Sequence, residues 1–136
     1  MLQVHQDAVA DLRGIRAKNA LAAAKLVALL EQLRCDEGLR DRLLDHGYGD
    51  DRRTVISVSK WQSVQTKVER LPVWRLKSWQ LERQRLKYRV IYLYNWQDRR
   101  FIILAIVPRE GIDYDDPNHP IRKRVVHRIR TEFPNA

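Results

Sequence analysis

The sequence predicts an α+β fold: an N-terminal helical hairpin packed on a small antiparallel (mixed) β-sheet, with a C-terminal helix. Three observations carry this prediction. Apolar residues recur at three- and four-residue steps through the first third of the chain. From Leu71 the period changes to two. A basic, helix-like stretch begins at Pro120, where proline suits a first helical turn. The chain has 136 residues, 44% hydrophobic and 32% charged. That is enough for one compact domain with a core, and it lies outside the range of disordered chains. We read residues 1–136 as a single domain, with a helical part over 1–50, the sheet over 71–110 and the last helix over 119–133.

Residues 4–34 read as helix, with Leu12, Ile15, Ala22, Leu26, Leu29, Leu30 and Leu33 on one stripe. Gly14 and Asn19 weaken its middle, so two helices, or a short leading segment and one long helix, both fit. Asp36-Glu37 opens a further helix whose stripe is Leu39, Leu43 and Leu44. Gly47-Tyr48-Gly49-Asp50-Asp51 ends it with backbone freedom and turn chemistry. Thr54–Val58 is β-prone, and Lys60–Glu69 fits helix or loop. Val73, Arg75 and Lys77 then share one face of a strand, with Trp74 and Leu76 on the other. Ser78–Arg85 reads as a polar connection. Tyr88–Tyr94 and Phe101–Val107 are apolar on both faces, as central strands are, and Asn95–Arg99 joins them at hairpin length. Pro108–Asn118 reads as loop. Ile121, Val125, Ile129 and Phe133 form the stripe of the last helix. Consecutive strands with short connections imply helices on one sheet face, leaving the other to Arg75, Lys77 and Arg89.

The net charge is +9. Residues 1–66 hold 10 Lys/Arg and 9 Asp/Glu, while residues 67–136 hold 16 and 8. The excess therefore belongs to the strand-rich half, and it argues for a polyanionic partner. Cations in or beside three successive strands point the same way, because a buried cation without a partner is costly. The single cysteine, Cys35, reads as a partly buried helix residue and supports neither a disulfide framework nor a zinc site, which fits a reducing compartment. No metal or other cofactor is expected. The apolar run Ala20–Leu30 is interrupted by Lys25 and is too short to span a bilayer. Asp7 and Asp11 precede the basic Arg13, Arg16 and Lys18, and no cleavage site follows, so the expected location is the cytoplasm, off the membrane.

Three segments in order carry a resemblance: Trp74-Arg75-Leu76-Lys77, then Tyr88-Arg89-Val90-Ile91-Tyr92, then Ile103-Leu104-Ala105-Ile106-Val107-Pro108-Arg109-Glu110. Over roughly its last half the chain resembles the RelE/ParE superfamily of type II toxin–antitoxin toxins, in particular its RelE-like mRNA interferase branch. The two leading helices fit as well. The sequence departs from the family in two ways: Lys77 and Tyr88 are further apart, through a more polar segment, and the opening strand is not evident. Met1–Val4 or Thr54–Val58 would have to supply it.

The resemblance implies an endoribonuclease that cuts mRNA on the ribosome without metal, by attack of a ribose 2′-hydroxyl on the adjacent phosphate. Such chemistry needs a base, an acid and cations around the charged phosphorane. Arg75 and Lys77 take the positions of the family's first cationic pair, Arg89 the second-strand arginine and Arg109 the arginine ending the third strand. The guanidinium fork suits phosphate. Lys77 is a phosphate contact, or a base if its pKa is lowered. Tyr114 and His119 are the acid–base candidates, with Asp113, Asp115 and Asp116 crowding the same loop. Arg122, Lys123 and Arg124 are a solvated face, or a contact for ribosomal RNA or an acidic antitoxin. Expected partners are a cognate antitoxin, mRNA and the ribosome. Blander roles also fit: Arg75 and Lys77 as an edge-strand face, Arg89 paired with Glu82 or Glu110, Tyr114 packed under its loop and His119 as a helix cap. Two other functions fit the same residues: a non-enzymatic ParE-like inhibitor of DNA gyrase, and a basic nucleic-acid-binding domain with no toxin role.

Overall fold

Short polar side chains set where the N-terminal helices begin and end. In a computed structural model describing residues 1–62, 64, 71–110, 113 and 115–136, strand β1 (Leu2–Val4) leads into helix α1 (Gln6–Lys18). His5 caps α1 by accepting the Asp7 amide on Nδ1 at 3.0 Å. Asn19 closes α1 through its own amide to the Ile15 carbonyl and opens α2 (Ala20–Cys35) by accepting the Ala22 amide at 3.1 Å. One residue thus satisfies orphan groups of two helices. Asp36 does the same for the short α3 (Glu37–Asp41), which runs into a 3-10 turn at Arg42–Leu44.

Strands β2 (Ile56–Lys60), β3 (Val73–Ser78), β4 (Tyr88–Asn95) and β5 (Arg100–Pro108) follow, with helix α4 (Trp79–Arg83) between β3 and β4 and helix α5 (Pro120–Glu132) last. The sheet order is β1-β5-β4-β3-β2. β1 runs parallel to β5, and the other pairs are antiparallel, so the sheet is mixed. Both segments able to supply a further strand do so: Leu2–Val4 and Ile56–Lys60. Part of Ser78–Arg85, expected as a polar connection, is helical instead. Ser78 caps α4 by accepting the Leu81 amide, and Leu81 and Trp79 are buried.

Two cores flank the sheet. On one face, Leu26, Leu30 and Leu33 of α2 and Ala8 and Ile15 of α1 pack on Ile56, Val58, Trp74, Leu76, Val90, Tyr92 and Ile103. The Tyr92 hydroxyl donates to the Leu43 carbonyl at 2.6 Å. On the opposite face, Val125, Val126 and Ile129 of α5 join Trp61 and Val64 over Val73, Ile91, Leu93, Ile102 and Leu104. Helices on one face only is therefore corrected: α5 covers the apolar end of the second face. The polar end of that face lines a cleft among the described residues. A bulge between Ile91 and Tyr92 shifts the β4–β5 register there.

The basic helix α5 is tied to α1 where β1 stops and the edge of β5 is exposed. Asp11 accepts the Ile106 amide at 3.0 Å and binds both terminal nitrogens of Arg124, at 2.9 and 2.6 Å. Asp7 pairs with Arg128 at 2.7 Å, and His5 Nε2 lies 3.1 Å from Glu132. Among the described residues no helix is long and apolar enough to cross a membrane. Cys35, expected to be partly buried, is exposed at the end of α2.

Candidate anion-binding cleft

Strand alternation fixes which side chains reach the open face. Ser57 pairs with Lys77 and Ser59 with Arg75 across β2–β3. Arg75 pairs with Ile91 across β3–β4, and Arg89 with Val107 across β4–β5. All of these positions share the face opposite α1 and α2. Arg109 follows β5 two residues after Val107, and its amide is held by the Lys87 carbonyl at 2.8 Å. Sequence alternation thus brings Arg75, Lys77, Arg89 and Arg109 together around a cleft of about 460 Å³, lined also by Asp50, Ser57, Ser59, Leu76, Asp113 and Asp115. A second cleft of about 440 Å³ shares Lys77, Arg89 and Arg109 and adds Arg52, Trp79, Glu82, Arg83 and Lys87.

The four cations differ in environment. Arg75 donates from Nε to Ser59 at 3.3 Å. Arg89 is only 8% exposed. Its Nη1 pairs with Glu82 and donates to the Tyr88 carbonyl at 3.0 Å, so the pairing with Glu82 and the place in the cleft both hold. Arg109 is exposed. Lys77 stands 4.6 Å from the centre of the Trp79 ring. Burial lowers its pKa, and the cations of Arg89, Arg109 and Arg52 lower it further against the opposing pull of Glu82.

Trp79 organises this end of the site. Its indole N–H donates to the Gly49 carbonyl at 2.8 Å, and the Arg52 guanidinium lies 5.4 Å from its ring centre. Gly49 has φ +81°, and a Cβ there would meet the Ile56 carbonyl oxygen at 2.0 Å. The Gly47–Asp51 segment, read from sequence as a helix stop, packs its backbone on β2: the Gly47 amide donates to the Val58 carbonyl and the Val58 amide to the Tyr48 carbonyl, both at 2.9 Å.

The remaining candidates fall elsewhere. His119 caps α5, accepting the Ile121 amide on Nδ1 at 3.1 Å, and it is not among the residues lining either cleft. Tyr114 lies outside the described residues. Arg122 is 1% exposed within the α5 packing. That corrects its expected place on a solvated, nucleic-acid-binding face: one turn of α5 points it inward. Arg124 is half-buried and engaged by Asp11. Lys123 remains exposed. Asp113 accepts the Asp115 amide at 3.0 Å, and both line the basic cleft. Among the described residues no group of three His, Cys, Asp or Glu side chains is placed to hold a metal ion.

Sequence reading missed Asp50, Arg52, Ser57, Ser59 and Lys87 as cleft residues. Ser57 and Ser59 alternate with apolar Ile56 and Val58, a signal that was present in the sequence. Arg52 and Asp50 reach the site only through the fold of their turn. No protein-family model, curated protein or solved structure matches this chain.

Proposed function

We propose that this chain is the toxin of a type II toxin–antitoxin system, a RelE-like endoribonuclease that cuts mRNA at the ribosome in the cytoplasm. One observation carries the reading: four cations, from β3, β4 and the residue after β5, line one cleft on the sheet face opposite α1 and α2. The strand Leu2–Val4, which the resemblance asked for, supports it further.

In this reading the ribose 2′-oxygen attacks the adjacent phosphorus and forms a new P–O bond. The bond to the 5′-oxygen breaks, leaving a 2′,3′-cyclic phosphate and a 5′-hydroxyl. Lys77, its pKa lowered, takes the 2′ proton. Arg75, Arg89 and Arg109 stabilise the dianionic phosphorane, because charge-assisted donors fixed in place strengthen as that charge develops. A proton must reach the departing 5′-oxygen. His119 is committed to capping α5, so Tyr114 is the candidate for that role. The partner that silences the site is an antitoxin presenting acidic or amphipathic chain to the basic face.

A second reading, a non-enzymatic ParE-like inhibitor of DNA gyrase, draws support from the His119 cap, which removes one acid–base candidate from the site. Induced expression of wild type and of Lys77→Met/Arg109→Ala separates the readings. Both substitutions leave the buried Arg89–Glu82 pair intact, and circular dichroism checks that the variant is folded. Growth arrest with new mRNA 5′ ends, both lost in the variant, supports the nuclease. Arrest without new ends moves the assignment to gyrase. No arrest leaves a basic nucleic-acid-binding domain.

A further inference from the structure

The two clefts differ sharply in charge. Among the described lining residues, the first holds four cations and three carboxylates, Asp50, Asp113 and Asp115. The second holds six cations and one carboxylate, Glu82, which is already paired with Arg89. Lys77, Arg89 and Arg109 form the wall between them. An anion held at that wall therefore meets three carboxylates among the cations on one side and a more strongly cationic surface on the other. The attracting side is built by the segment between β3 and β4, which contributes Trp79, Glu82, Arg83 and Lys87. Two of the cleft's cations are held in place: Trp79 takes both Lys77 and Arg52 against its ring and anchors itself to Gly49.

We propose that the α4 segment is a backbone track for single-stranded nucleic acid, in which Arg83, Lys87 and Arg52 bind the phosphates next to the one held by Lys77, Arg89 and Arg109. The inference rests on the reading of the shared wall as a phosphate site. A regularly spaced polyanion matches two adjoining cationic sites, as a lone small anion does not. A flexible single strand can enter concave clefts and turn between them. Trp79 is 8% exposed, so its role is to position the two cations rather than to stack on a base.

The test uses the full chain and fluorescein-labelled oligodeoxythymidylates of about three and about nine nucleotides, within and beyond one short site. These strands lack the 2′-hydroxyl and survive the proposed reaction. Anisotropy titrations at several salt concentrations should show the longer strand binding about tenfold tighter or more. Arg83→Ala/Lys87→Ala should abolish this length advantage and reduce the salt slope by about 1.4, at about 0.7 per lost contact. Arg83→Lys/Lys87→Arg should restore it, and Arg13→Ala/Arg16→Ala, which removes two exposed α1 cations, should not disturb it. Binding by Arg83→Ala/Lys87→Ala equal to wild type overturns the proposal. So does a wild-type protein that binds neither strand at low salt, which would point to an acidic protein as the occupant. A chain that cuts no mRNA yet keeps the length advantage loses the nuclease reading and retains the track. One that cuts mRNA while Arg83→Ala/Lys87→Ala binds like wild type retains the nuclease and loses the track.

Discussion

Lys77 lies against an indole ring and within the field of the Arg89, Arg109 and Arg52 guanidinium groups, and this setting separates it from the arginines around it. Only a lysine can give up its proton here, since guanidinium stays charged at any working pH. With burial and neighbouring cations lowering its pKa, a base role gives activity that rises with pH through a value below the ordinary 10.5. Lys77→Arg should keep strand binding within about threefold and lower single-turnover cleavage by about 10²–10⁴, the usual contribution of a positioned base. A variant cleaving at the wild-type rate with an unchanged pH profile removes Lys77 from that role. Gly49 is the second residue on which the site depends. Its positive φ and the 2.0 Å approach of a Cβ to the Ile56 carbonyl oxygen leave no room for a side chain. Gly49→Ala should cost about 2–3 kcal/mol in urea unfolding, because backbone rather than a flexible side chain must move.

At the scale of elements, α1 and α5 are joined across the exposed edge of β5. Asp11 carries two duties, satisfying the Ile106 amide and the Arg124 fork. Asp11→Ala leaves both donors without this acceptor, and a loss of about 2–4 kcal/mol should follow, read as a lower denaturant midpoint. Arg124→Met removes only the ion-pair partner and should cost less. Equal losses would mean that the Ile106 amide contributes nothing. The same contacts explain why a helix carrying so many cations offers few of them to a partner: Arg122 is inside, and Arg124 and Arg128 face α1 carboxylates.

For the whole molecule, the α1–α5 ladder sets an acid limit. Burial by itself raises the pKa of Asp7, but the hydrogen bond and charge of Arg128 outweigh it, with His5 and Arg124 adding, and the net value falls below 3.8. A carboxylate depressed on folding stabilises the native state above its unfolded pKa, and that stability is lost as pH falls through the folded value. The difference in thermal midpoint between wild type and Asp7→Asn should therefore be full at neutral pH and shrink below 3.8. A difference that persists unchanged in that acid range would show that Asp7 acts through packing alone. The charge asymmetry also acts at this scale. The strand-rich half carries the basic excess, and the second face of the sheet concentrates it at one end.

Periodicity determined much of this molecule, because side-chain alternation and helical stripes are local consequences of backbone geometry. The three strands from Val73 to Pro108, the helix from Pro120 and the shared face of Arg75, Lys77 and Arg89 could all be read from the chain. The opening strand could not, since Leu2–Val4 is too short to show a period and exists only because β5 offers it an edge. Nor could α4, which Ser78 caps locally but whose Trp79 is anchored by the distant turn at Gly49. The sequence could not show that α5 lies on the sheet's second face, because its stripe states that it packs and not where. That placement decided the site: it buried Arg122, committed Arg124 to Asp11, and left a cleft on the sheet where Arg75, Lys77, Arg89 and Arg109 converge.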